Sequence, residues 1–125
     1  MAAERAAGAD TALSAPFDPR DVFAAARRGD AVARAVVAEE ARRIALHVLP
    51  IAAVVDVGLV VLGGGVGSNG DLLVDPICRE LAHRLPAPPR VEVSALGESA
   101  VLDGALAIGR EEALDRVFEQ RPVAL

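Results

Sequence analysis

The run Gly58-Leu59-Val60-Val61-Leu62, followed at once by Gly63-Gly64-Gly65-Val66-Gly67-Ser68-Asn69-Gly70, constrains this chain more than any other feature. The first part is apolar on successive residues, β-branched in the middle and bounded by glycine. That pattern predicts a strand buried on both faces, and hence a parallel sheet. The glycine-rich part reads as a loop at the carboxyl end of the strand, where open α/β sheets bind their ligands. Glycine there lets backbone N–H groups approach an anion or a flat ring, because no Cβ intervenes.

The flanking segments complete an α/β pattern. Asp18-Pro19 is a helix start: the carboxylate can accept from first-turn N–H groups, and proline fits the first helical position. Asp21 adds negative charge at the positive end of that helix. The helix carries Val22, Phe23 and Ala26 and stops at Gly29; Asp30 caps the next. This second helix is long, with apolar positions at Val32, Val36, Val37, Ile44, Leu46 and Val48. Pro50 predicts either a kink or a new helical piece. The cluster Glu39, Glu40, Arg42 and Arg43 reads as a solvated face with i, i+3 and i+4 pairs. After the glycine stretch, residues 71–85 read as helix, with Pro76 restarting it after a first turn. Pro86, Pro88 and Pro89 form a stiff connector. Residues 90–95 alternate as a second strand, Val91 and Val93 inward, Glu92 and Ser94 outward. Residues 98–118 read as a final helix with Val101, Leu102, Ala105, Ile108, Leu114, Val117 and Phe118 on its apolar side, Gly104 and Gly109 allowing close packing.

The expected order is α-α-β-α-β-α with one parallel β-α-β unit. Two strands are too few for a stable sheet alone. Further strands are expected from a partner or from sequence outside the 125 residues, with an exposed apolar patch where they would pack. The chain divides as an Ala-rich lead-in (1–17), a folded segment (18–121) and a short tail (122–125).

Composition removes several chemistries. All 13 basic residues are arginine, against 18 acidic ones, for a net charge of −5. Without lysine there is no Walker A loop, Schiff-base lysine or lysine base. The acidic balance argues against a nucleic-acid footprint in this segment. The single cysteine, Cys78, excludes an internal disulfide and a multi-cysteine zinc cage. His47 and His83 are not spaced with Cys78 in a zinc pattern and read as surface or packing residues. No signal peptide is evident, and the apolar stretch 44–65 is interrupted by His47, Pro50, Asp56 and glycines, too often for a membrane span. A soluble cytoplasmic protein without membrane contact is expected. The core must be built from Ala, Val and Leu, since there is no Trp or Tyr and only three Phe.

Gly65, Gly67 and Gly70 satisfy G-x-G-x-x-G, but the match is poor as a dinucleotide fingerprint. The acid expected about 20 residues further on has only Glu92 as candidate, inside the second strand, and there is no room for a second mononucleotide half. The stretch is then either a structural tight turn or a nucleotide- or sugar-associated loop of another type.

Val60-Val61-Leu62-Gly63-Gly64-Gly65-Val66 resembles the adenosine-motif segment of the sugar kinase/hexokinase/actin-like ATPase superfamily. More narrowly, residues 18–120 are similar to the C-terminal part of the ROK family (repressors, open reading frames and kinases). The resemblance is carried by Asp21-Val22-Phe23-Ala24-Ala25-Ala26 with Gly29-Asp30, by Asn69-Gly70-Asp71-Leu72-Leu73, by Leu96-Gly97-Glu98, and by Ala100-Val101-Leu102 with Gly104-Ala105-Leu106-Ala107. It departs from the family at Asp56-Val57-Gly58, where Asp-Pro and an acid are common. The resemblance implies a partial actin-like ATPase (ribonuclease H-like) lobe, with Gly63, Gly64 and Gly65 on the nucleotide side of a cleft. It places the phosphate loop, catalytic aspartate, sugar-binding residues and zinc motif of the family upstream of this segment. It implies ATP with magnesium as co-substrate of a complete kinase, a sugar or sugar phosphate as ligand, and a homodimer.

Within the family, Val66 to Leu73 and Pro89 to Gly97 resemble ROK regulators more than glucokinases. The primary expectation is therefore the effector-sensing part of a sugar-responsive repressor, contacting DNA only through a separate N-terminal domain. The alternatives are the nucleotide-side lobe of a sugar kinase and a non-catalytic dimerising module. In each case the 125 residues alone are expected to lack catalysis.

Overall fold

The computed structural model describes residue 11 and residues 13–119. The tail 122–125 and most of the Ala-rich lead-in lie outside the described residues.

Local capping sets the first two helices. Helix α1 spans Pro19–Arg28; the Asp18 carboxylate accepts from the Arg20 N–H, and proline opens the helix. Gly29 ends it at φ 99°, in the left-handed region, its N–H donating to Ala26 O while the Asp30 N–H donates to Ala25 O. This is a glycine-closed helix end. Helix α2 spans Ala31–Val55, with the Asp30 carboxylate accepting from the Ala33 N–H at 2.9 Å. It runs unbroken through Pro50, so no second helical piece begins there. Ala33, Val37, Ala41 and Ala45, one residue every four, form a single buried ridge that holds the preceding turns in place.

Strand β1 (Leu59–Leu62) pairs in parallel with β2 (Arg90–Val93), Leu59 opposite Arg90 and Leu62 opposite Val93. Between them lie a one-turn helix α3 (Gly64–Gly67) and helix α4 (Gly70–Arg84). The expected loop at 63–70 is thus a helical turn leading straight into a helix. α4 also continues through Pro76 instead of restarting. Leu73, Ile77 and Leu81 of α4 are fully buried and share one face. They pack on the small-residue ridge of α2, the most extensive contact between elements. Large side chains on one helix against alanines on the other let the axes approach closely while filling the space.

The sheet is covered on one face only. Leu62 and Val91 join the core, but Leu59 and Val61 are 39% and 55% exposed. A strand buried on both faces is therefore not what forms. Successive side chains of β1 point to opposite faces; on the second, Leu59 meets the end of α2 at Ile51 and Ala52, and Val61 is left open. Arg90 and Glu92 occupy that face as an ion pair at 3.3 Å.

A 3₁₀ turn (Gly97–Ser99) leads into helix α5 (Ala100–Glu119). Val101, Leu102, Leu106, Ile108, Leu114 and Val117 are all exposed. A Cβ at Gly104 or Gly109 would meet nothing within 4 Å, so these glycines are not at a close contact here. The side chain of Phe118 lies outside the described residues. Large apolar side chains are exposed, as expected, both on α5 and on the open sheet face. No helix among the described residues is long and apolar enough to cross a membrane.

Candidate functional site

The carboxyl ends of β1 and β2 lie side by side, joined by the Ser94 N–H donating to Leu62 O at 2.8 Å. Gly63 leaves β1 in an extended conformation (φ −124°) and Gly64 turns the chain at φ +70°. The turn closes with the Ser68 N–H on Gly64 O and the Asn69 N–H on Val66 O.

The glycines of this stretch are required for different reasons. A Cβ on Gly67 would lie 2.7 Å from the carbonyl carbon of Leu62, and one on Gly70 would collide with the Val93 side chain. These two let the turn and α4 pack onto the strands. Gly64 is required by its positive φ. A Cβ on Gly65 would enter open space, and one on Gly63 would make only an ordinary contact with Ser94. The G-x-G-x-x-G spacing thus combines one open position, Gly65, with two packing positions.

A cleft of about 430 Å³ opens beside Gly65. One wall is the start and inner side of α1: Asp18, Pro19, Arg20, Phe23 and Arg27. The other is Gly65, Val66, Ser68 and Asn69. Phe23 is almost fully buried, so it forms a fixed apolar surface at the back, facing Val66. Gly63 and Gly64 stand at the strand end beside this turn but do not line the cleft.

The walls are tied together by side chains. Arg27 Nε donates to Asp71 Oδ2 and its Nη2 to Asp71 Oδ1, both at 2.7 Å. The same Nη2 donates to Asn69 Oδ1 at 2.9 Å. The Asn69 amide in turn donates to Gly65 O at 2.9 Å and Val66 O at 3.1 Å, and Ser68 Oγ donates to Gly65 O at 2.9 Å. The Arg27 guanidinium holds the Asp71 carboxyl below its ordinary range, through the hydrogen bonds first and its charge second. Asn69 and Asp71 fall inside the sequence pattern 69–73. Arg27, 42 and 44 residues away from them, carries no local signal.

Other titratable groups lie elsewhere. His47 Nδ1 stands 2.7 Å from Arg43 O on the outside of α2. His83 faces a groove between α2 and α4 with Glu39, Arg42 and Glu80, and Cys78 is half-buried. Among the described residues, no group of three or more His, Cys, Asp or Glu side chains is placed to hold a metal ion.

The strand, glycine turn and helix occur in the order of the segment resembled above, and the ROK family model matches residues 1–112. The chain belongs to the ROK family. Two relatives of this ROK protein are the bifunctional enzymes NanE/NanK of Brucella melitensis biotype 1 and Brucella suis biovar 1. Each is 34% identical over 88 residues, covering 70% of this chain and 17% of the relative. A crystal structure of a "putative sugar kinase" from Cytophaga hutchinsonii superposes with a TM-score of 0.69 at 27% identity, over 78% of this chain and 35% of the other. The ROK chain described here thus spans about a sixth of the length of the bifunctional enzymes and about a third of the solved kinase. Its mixed α/β architecture with two parallel strands matches part of a ROK sugar kinase. The solved relative is described as a sugar kinase, whereas the sequence motifs alone favour a regulator.

Proposed function

We propose that this chain is the C-terminal, nucleotide-side part of a ROK sugar kinase, and that the cleft between α1 and the glycine turn receives the base and ribose of ATP. The observation that carries this reading is the cleft beside Gly65, the one position of its turn wall that presents backbone and no side chain. A flat ring needs an apolar face, which Val66 and the exposed edge of Phe23 supply, and a hydrogen-bonding group at its edge, which Ser68 Oγ supplies as an acceptor, its own proton lying on Gly65 O. Gly63, Gly64 and Gly65 bring the backbone close enough for the ribose and first phosphate to pass the strand end.

Kinases gain most of their rate from positioning and charge stabilisation. In this reading the described residues position. Asp18 engages the Arg20 N–H as a helix cap, so its carboxylate serves α1 before any ligand. Magnesium would travel with the phosphates, and no described residue is assigned to it. The acceptor is a sugar, by analogy with the named relatives. The regulator reading uses the same fold to sense a sugar without nucleotide.

The test is calorimetric titration of the chain with ATP and, separately, with glucose. Saturable ATP binding that weakens at least about tenfold in Gly65→Leu, with an unchanged melting temperature, is expected. Absence of ATP binding by a folded chain contradicts the nucleotide reading and favours a regulator.

A further inference from the structure

The Arg27, Asn69 and Asp71 side chains do more than join two elements. We propose that Arg27 is a positioning residue: by fixing the direction of the Asn69 amide it holds the glycine turn in the shape that meets the ligand. This deepens the nucleotide reading above and rests on it for the identity of the ligand.

The amide of Asn69 has one accepting and one donating end. Arg27 Nη2 donates to the oxygen, which leaves the NH₂ group directed at Gly65 O and Val66 O. Rotating the amide by half a turn would set its NH₂ against the guanidinium, donor facing donor. Arg27 therefore selects one of two amide orientations. Asp71 in turn fixes Arg27, because two parallel bonds at 2.7 Å lock the plane of the guanidinium. A lysine could make one such bond but cannot bridge Asp71 and Asn69 in this fork geometry.

The held carbonyls belong to a segment that would otherwise be soft. Gly64, Gly65 and Gly67 make up three of the four residues of α3, and glycine loses more conformational freedom on ordering than any other residue. With Gly65 O held by Ser68 and Asn69, and Val66 O by Asn69, that ordering is complete before a ligand arrives, which raises affinity. The ion pair itself is half exposed, with side-chain exposures of 44% and 53%. Such pairs add little global stability. Loss of Arg27 should therefore be felt in the turn and hardly at all in the melting temperature.

Amide hydrogen exchange of the intact chain tests this without any nucleotide. The reporters are the Ser68 and Asn69 amides, which close the turn; the Val36 and Val37 amides in buried α2 serve as controls. Arg27→Lys and Asn69→Ala are expected to speed exchange at both reporters about tenfold, with controls unchanged and the melting temperature within about 2 °C. ATP affinity should fall in the same variants. Unchanged exchange at the reporters overturns the proposal, whatever ATP does. Equal acceleration everywhere in Arg27→Lys also overturns it, since Arg27 would then only support the fold. Faster reporter exchange in a chain that does not bind ATP at all sinks the nucleotide reading and leaves the clamp standing.

Discussion

Gly67 lies against the backbone of Leu62, so close that a Cβ on it would stand 2.7 Å from the Leu62 carbonyl carbon. Two positions earlier, a Cβ on Gly65 would meet nothing within 4 Å. The same substitution should therefore act oppositely at the two sites. Gly67→Ala forces the turn off the strand and should cost about 1–3 kcal/mol, as overpacking does. Gly65→Ala should leave stability unchanged or raise it by about 0.4–1 kcal/mol. Urea denaturation of both variants checks this; equal destabilisation would contradict the division of the glycines into packing and open positions.

The apolar side chains left exposed on β1, at Leu59 and Val61, and on α5 should drive self-association. Leu102, Leu106 and Ile108 are each more than 60% exposed; Leu102 and Leu106 share one side of α5 and Ile108 lies on another, so the helix exposes apolar side chains around its circumference, as a helix that is normally covered does. Sedimentation velocity should show a mass that grows with concentration. The double change Leu106→Glu with Ile108→Glu should reduce that growth. A concentration-independent monomer in the parent chain would contradict the expectation.

Acid should weaken two surface contacts. Glu39 is held down to about 2 by hydrogen bonds from Arg42 and then Arg43. Its folded value is depressed, so its stabilisation is complete above its ordinary value of 4.5 and is lost as pH falls toward about 2. Asp71, also depressed by Arg27, acts in the same direction. Urea midpoints measured against pH should fall through this window in the parent chain. In Glu39→Gln the fall should be shallower, while above about pH 5 the two curves should run parallel. An identical slope in both proteins would show that the Glu39 contacts are not linked to folding.

How far the chain could be read from its letters depends on how local each cause is. Asp18, Pro19, Gly29 and Asp30 mark helix ends because capping acts within a few residues, and the structure places the ends there. The prolines mislead for the opposite reason. α4 runs through Pro76 because Leu73, Ile77 and Leu81 pin the turns on either side of it to the core; α2 runs through Pro50 although none of its residues beyond Ala45 is fully buried. The apolar run 59–62 announces a parallel strand correctly. Whether its second face is covered depends on neighbours that local sequence cannot show. The glycines of 63–70 look alike as letters, yet Gly67 and Gly70 are dictated by Leu62 and Val93, across the fold. The Arg27–Asp71 pair, 44 residues apart, has no sequence signal at all. The regulator reading rests on residues 66–73 and 89–97, whereas the solved structure that superposes on this chain is described as a sugar kinase.

The most direct test of the account is a nuclear magnetic resonance titration of the labelled chain with ATP. The backbone amides of Gly63, Gly64, Gly65 and Val66, together with the ring signals of Phe23, should shift in a saturable way, while the amides around His83 in the α2–α4 groove stay still. Shifts confined to that groove, or none in a folded chain at saturating nucleotide, would contradict the placement of ATP beside the glycine turn.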